Sequence, residues 1–189
     1  MSSTPRVVVL VGSLRKESLN RRVALALPTL EAAPLQFEIA EIGNLPFYNQ
    51  DLDGENAPAE WVAFRDRIKA ADAVLFVTPE YNRSVPGVLK NAIDVASRPY
   101  GQNAFEGTPG AVISVSPGTV GGFGANHHLR QSLVFLNVST MQQPEAYLGG
   151  AGGFFDADGN LSNDSTREFL AKFVQSFAEW IETNRKKKP

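Results

Sequence analysis

The sequence predicts a three-layer α/β/α domain built on a doubly wound, five-stranded parallel sheet. Two observations carry this expectation. Val- and Ile-rich runs of strand length alternate with helical patterns from end to end, the order that lays helices on both faces of a parallel sheet. The unusual sequence collects after the first, third and fourth runs, at the carboxyl ends of strands, where open parallel sheets bind ligands.

The elements follow in order. Arg6 to Val11 is the first strand, and Asn20 to Glu31 has a helical pattern that Pro28 should kink or end, since proline brings no amide donor. Gln36 to Glu41 is the second strand. It leads into a long irregular segment, Asn44 to Ala59, suited to a site entrance. Glu60 to Ala71 is helical, and the spacing of Trp61, Phe64 and Ile68 marks a packed face. Ala73 to Thr78 and Ala111 to Ser116 are the third and fourth strands, separated by a helix from Gly87 to Ser97. A helix from His127 to Leu136 precedes a weaker fifth strand, Ser139 to Gln143, and the Gly-rich loop Gly149 to Gly153. Phe169, Leu170, Phe173, Val174, Phe177 and Ile181 form the apolar stripe of a last helix, for which Ser165 and Glu168 suggest a capping box. Residues 1–189 fit one domain of this kind.

Composition narrows the function. With 18 basic and 20 acidic residues the net charge is −2, which favours neither nucleic acid nor an anionic membrane, so the expected partner is a small molecule. Cysteine is absent, which removes disulfides, thiol catalysis, iron–sulfur clusters and thiolate zinc sites. Redox chemistry would have to come from a cofactor. The apolar runs are strand-length, and Met1 to Arg6 has no secretory pattern, so the expected location is cytoplasmic.

The first strand runs into Gly12-Ser13-Leu14-Arg15-Lys16-Glu17-Ser18-Leu19-Asn20, where a helix begins. Unpaired amides and the positive dipole end make such a start an anion site. Ser13 and Ser18 add hydroxyl donors, and Arg15 adds a charge-assisted bond. One glycine is too few for the dinucleotide fingerprint, and no Gly-Lys-Ser/Thr follows. A cap at Ser18 or Asn20 alone would explain one donor but not the whole set.

Gly12-Ser13-x-Arg15-x-x-Ser18-x-Asn20 resembles the phosphate loop of the NAD(P)H-dependent FMN reductases, the group that includes the bacterial quinone and chromate reductases. Pro79-Glu80-Tyr81-Asn82-Arg83-Ser84-Val85-Pro86-Gly87, running on to Asp94, is similar to that family's flavin-ring loop and following helix. The likeness continues through Ser116-Pro117-Gly118, His128-Leu129-Arg130-Gln131 and Pro144-Glu145. It implies a flavodoxin-like fold and FMN as cofactor. It also implies NAD(P)H as hydride donor and a quinone, free flavin, azo compound or oxyanion such as chromate as electron acceptor. In this likeness Ser13, Arg15, Ser18, Leu19 and Asn20 serve the phosphate end, Pro79, Glu80, Tyr81 and Asn82 the isoalloxazine, and Ser116 and Gly118 approach the ring from the fourth strand. Relatives vary at Arg83 and around Phe123 to His127. Because the cofactor carries the difficult step, no protein group is assigned as catalytic, and Glu80 is given a binding role. The alternative is a flavodoxin-like electron carrier that does not turn over nucleotide.

Other features have plainer readings. Asp156-Ala157-Asp158-Gly159-Asn160 departs from a calcium loop and reads as a polar turn. Adjacent His127 and His128 would splay by about 100° on a helix, which opposes joint metal ligation. Arg185 to Lys188 reads as a solvated tail at a helix end. The family likeness, in which the flavin lies near a subunit interface, implies a homodimer or homotetramer, and Phe123, Phe154 and Phe155, apolar residues in polar, Gly-rich surroundings, are the expected contact.

Overall fold

The structure, a computed structural model, describes residues 4–32 and 35–185. Strands β1 (Arg6–Val11), β2 (Gln36–Ala40), β3 (Ala73–Thr78), β4 (Pro109–Val115), β5 (Ser139–Thr140) and β6 (Ala146–Leu148) form one sheet in the order β2-β1-β3-β4-β5, with β6 also pairing with β4. Every pairing is parallel, with Val9 opposite both Ile39 and Leu75, and Leu75 opposite Ala111. This is the doubly wound, flavodoxin-like arrangement.

Helices α1 (Leu19–Ala26), α2 (Ala59–Lys69), α3 (Gly87–Ala96), α4 (Phe123–Phe135) and α5 (Asp164–Asn184) complete the layers. Alternation along β1 decides which face each side chain serves. Val7, Val9 and Val11 join Val23 and Leu27 and the α5 stripe of Leu170, Phe173, Val174, Phe177 and Ile181. Val8 and Leu10 face Trp61, Phe64 and Ile68 of α2, Leu89 and Ile93 of α3, and Leu129 and Leu133 of α4. Burial of each such side chain contributes roughly 1.5–3 kcal/mol, far above the few tenths that separate helix propensities. Packing therefore holds the helices in place.

Some boundaries differ from the sequence reading. Pro28 does end α1, whose last residue is Ala26, and the chain continues as a 3₁₀ turn over Leu27–Thr29. The fifth strand is split, because the chain leaves β4 after Thr140 and rejoins it at Ala146, with Pro144, which has no N–H for a ladder, in the gap. The α5 cap is Asn163, whose side chain accepts the Thr166 N–H at 2.9 Å. Ser165 lies inside the helix and donates to Asn163 Oδ1, so the Ser165–Glu168 box does not form. Asparagine caps as well as serine, and here it starts the helix two residues earlier. Helix α4 likewise begins at Phe123 rather than His127.

Phe154 belongs to the first core cluster and Phe155 packs against it, since a bridge between Phe155 and Leu161 folds this loop over the sheet. Only Phe123 of the three expected surface phenylalanines is exposed. Asp156 closes a polar turn by accepting the Asp158 and Asn160 N–H groups, which hold its carboxyl below the usual range, with Asn160 the largest cause. Lys186, Lys187 and Lys188 lie outside the described residues. Among the described residues no helix is long and apolar enough to cross a membrane.

Candidate functional site

The turns after β1, β3 and β4 meet at one edge of the sheet. Gly12 makes the first junction. Its N–H donates to Val77 O at 2.9 Å, and a Cβ there would stand 3.1 Å from Thr78 Oγ1 and 3.3 Å from Pro79 Cδ. A larger residue would push the two turns apart by a few tenths of an ångström. Asn20 makes the second, its Nδ2 donating to Val115 O at 3.4 Å, one residue before Ser116.

Ser18 caps α1, its Oγ accepting the Arg21 N–H at 3.1 Å and keeping its own proton to donate. Ser13, Ser18 and Asn20 are buried, Leu19 is half-buried, and Arg15 is exposed with no ion pair or hydrogen bond among the described residues. Arg15 lines a cleft of about 220 Å³ between the loop and the end of β2, with Lys16 and an Arg21–Glu41 ion pair of 2.6 Å. The buried Asn20 Oδ1 has no hydrogen-bond partner. An unsatisfied buried acceptor costs about 1–3 kcal/mol, so this position suits a donor from a bound group or a water.

Tyr81 to Ser84 forms a tight two-residue turn, with reciprocal backbone bonds of 3.1 and 2.9 Å. Asn82 and Arg83 occupy its left-handed positions at φ 51° and 64°, as a type I′ turn demands. Tyr81, Asn82 and Arg83 are exposed, and Pro79 is half-buried. Across the gap, the Gly118 N–H donates to Ser116 Oγ at 3.1 Å, so these two residues shape a local turn. The structure thus brings all the residues read from the sequence to one edge, on three adjoining turns. The Glu80 carboxylate is turned to α4. Its Oε2 accepts the Ala125 N–H of α4 at 3.1 Å, and its side chain is only 15% exposed.

Several supporting residues escaped the sequence reading. Asn91 pins the segment after β2, accepting the Tyr48 N–H at 2.9 Å and donating to Pro46 O at 3.1 Å. Arg65 binds Asp53 through two bonds of 2.8 and 2.9 Å, reaches Val95 O at 2.9 Å and lies over the Trp61 ring. Ser84 Oγ and His128 Nδ1 stand 2.8 Å apart, whereas His127 Nε2 meets the Tyr147 hydroxyl at 2.9 Å. The adjacent histidines therefore splay to different partners. For the contact of Glu80 with α4, the signal in the sequence was Gly122 and Gly124 at the start of that helix, where an added Cβ would meet the Glu80 side chain. A larger recess of about 650 Å³ lies at the far ends of α3 and α4 and contains none of the predicted residues.

A flavodoxin-like sheet whose donor-rich α1 start adjoins two further turns beyond the strands' carboxyl ends has the layout of a mononucleotide-binding α/β protein. The family model of the NADPH-dependent FMN reductases matches residues 5–153, and the chain belongs to that family. A quinone reductase of Pseudomonas putida is 62% identical over 185 residues, covering 98% of this chain and 99% of that protein. The 2-hydroxy-1,4-benzoquinone reductase of a Burkholderia species is 44% identical over 95% of this chain and 98% of its own length. The solved FerB flavoenzyme NAD(P)H:(acceptor) oxidoreductase from Paracoccus denitrificans superposes with a TM-score of 0.90 at 45% identity, covering 97% of this chain and 100% of that one.

Proposed function

We propose that the protein is an NAD(P)H-dependent, FMN-containing quinone reductase, whose flavin lies across the three turns at the β1, β3 and β4 ends. The observation that carries this is the pairing of a donor-rich α1 start with the unpartnered, buried Asn20 Oδ1 beside it. A phosphate suits the first and a polyol hydroxyl the second. Ser13, Arg15, Ser18, Leu19 and Asn20 hold the phosphate and its chain. Pro79, Tyr81, Asn82, Ser116 and Gly118 border the ring, with backbone groups on its polar rim and the Tyr81 ring against its apolar part.

Hydride acceptance and electron delivery are the chemistry the flavin supplies when bound. The protein's part is to bind and orient. No side chain at the three turns stands free as a general base, because the Glu80 carboxylate is engaged at Ala125, and acceptor protons come from water. The exposed turns leave the ring open to planar oxidants, which supports quinones as acceptors and admits free flavin, azo compounds or chromate. A cytoplasmic location and assembly as a homodimer or homotetramer complete this reading.

Purified protein loaded with FMN should oxidise NADPH or NADH when a benzoquinone is added, measured as loss of nicotinamide absorbance. Bound flavin that no nucleotide reduces would instead mark an electron carrier.

A further inference from the structure

Helix α4 lacks the usual device at its start. Its N-cap, Gly122, sits at φ 75° and offers no side chain, and its first turn holds no acidic residue. An N-cap oxygen would ordinarily accept the N–H of the third helical residue, which here is Ala125. Glu80 takes that role from 45 residues away in sequence, with Oε2 on the Ala125 N–H at 3.1 Å. A carboxylate at this end also meets the positive pole of the helix.

Space has been cleared for the contact. A Cβ on Gly124 would stand 2.9 Å from Glu80 Oε2. A second tie, Ser84 Oγ to His128 Nδ1, lies on the same helix three residues on from Ala125. The turn that carries Tyr81, Asn82 and Arg83 is thus held to α4 on both sides. Helix α4 is itself the continuation of the Ser116–Gly118 turn, and buried Asn126 anchors it by donating to Ser114 Oγ at 3.2 Å and Ala146 O at 3.3 Å. Both walls of the ring gap are therefore referred to one helix start. The Arg83–Glu80 approach of 3.5 Å is solvent-exposed on the arginine side and adds little.

Resting on the flavin reading above, we infer that Glu80 is a positioning residue: its carboxylate caps α4 and so sets the spacing between the two walls that grip the isoalloxazine. It acts on the ring end of the ligand and not on its phosphate.

The test is fluorescence-quenching titration of apoprotein with FMN and with riboflavin. Glu80→Ala should weaken both by the same factor, roughly 3- to 30-fold for a lost cap. Glu80→Gln keeps an acceptor for Ala125 and should restore both affinities to within about 3-fold of wild type. Gly124→Ala, whose Cβ would stand 2.9 Å from Glu80 Oε2 and 3.2 Å from Arg83 O and so crowds the same contact, should weaken both flavins at least as much as Glu80→Ala and stands in if that variant does not fold. Equal losses in the Ala and Gln variants, or a loss confined to FMN, would overturn the inference. Wild-type apoprotein that bound neither flavin would overturn the cofactor reading itself.

Discussion

Replacing Arg15 by alanine isolates the phosphate contact. Arg15 is exposed and makes no ion pair or hydrogen bond among the described residues, so its removal leaves no partner stranded and the apoprotein should keep its stability. What is lost is one charge-assisted bond to a dianion, worth about 1.5–3 kcal/mol, which is about 10- to 150-fold in FMN affinity. The loss should not exceed this, because the α1 amides and the Ser13 and Ser18 hydroxyls remain. Riboflavin has no phosphate and should bind wild type and variant alike. Arg15→Lys should fall between, keeping the charge without the guanidinium fork. Raising salt should narrow the FMN gap between wild type and Arg15→Ala, because an exposed charge is screened. The assay is the same quenching titration, run with both ligands on both proteins. Equal losses for FMN and riboflavin would show that Arg15 supports the loop's shape and that the phosphate assignment is wrong.

Two further outcomes test the scaffold. The Arg65 and Asp53 side chains are 9% and 3% exposed, so Asp53→Ala strands a buried guanidinium and should cost about 3–5 kcal/mol. Denaturant unfolding would measure it. Converting both residues to apolar ones should recover much of the loss, and a single-variant cost below about 1 kcal/mol would refute the burial argument. The Tyr147 phenol is pushed up to about 12 from 10.0, first by burial and then by the neighbouring Glu145 carboxylate. Its fold-linked stability is present below the ordinary phenol range and is lost as pH rises from about 10 towards 12. Wild type should therefore lose stability more steeply than Tyr147→Phe over that window in unfolding experiments, and parallel slopes would sink the assignment.

The central strands were legible because both of their faces are covered. Every residue of β3 and β4 is buried, and such strands read as unbroken apolar runs. The short β5 and β6 have too few residues for any periodicity. The donor set of the loop between β1 and α1 was legible because it is local, with Ser13, Arg15, Ser18 and Asn20 within eight residues of chain. The role of Glu80 was not, since its partner is a backbone amide 45 residues away that any residue would supply. Arg65 and Asp53 look in sequence like surface charges, and only the packing of the segment after β2 against α2 and α3 buries them. Phe154 misled for the opposite reason, since Gly-rich surroundings suggest exposure while its loop folds back onto the α5 face.

The split fifth strand has a bearing on colloidal behaviour. A long, flat edge strand offers a row of unpaired amides and carbonyls to any other chain and invites strand-to-strand aggregation. Here the β4 side of the sheet ends in one piece of two residues and another of three, displaced along the edge. The opposite edge, β2, is five residues long and carries Glu38 at its centre, paired with Arg67 at 3.4 Å. Short length on one border and a charge at the centre of the other both discourage a second sheet from adding there. Any assembly of copies of this chain would then use helix faces and loops, which can be matched residue by residue and closed instead of growing without limit.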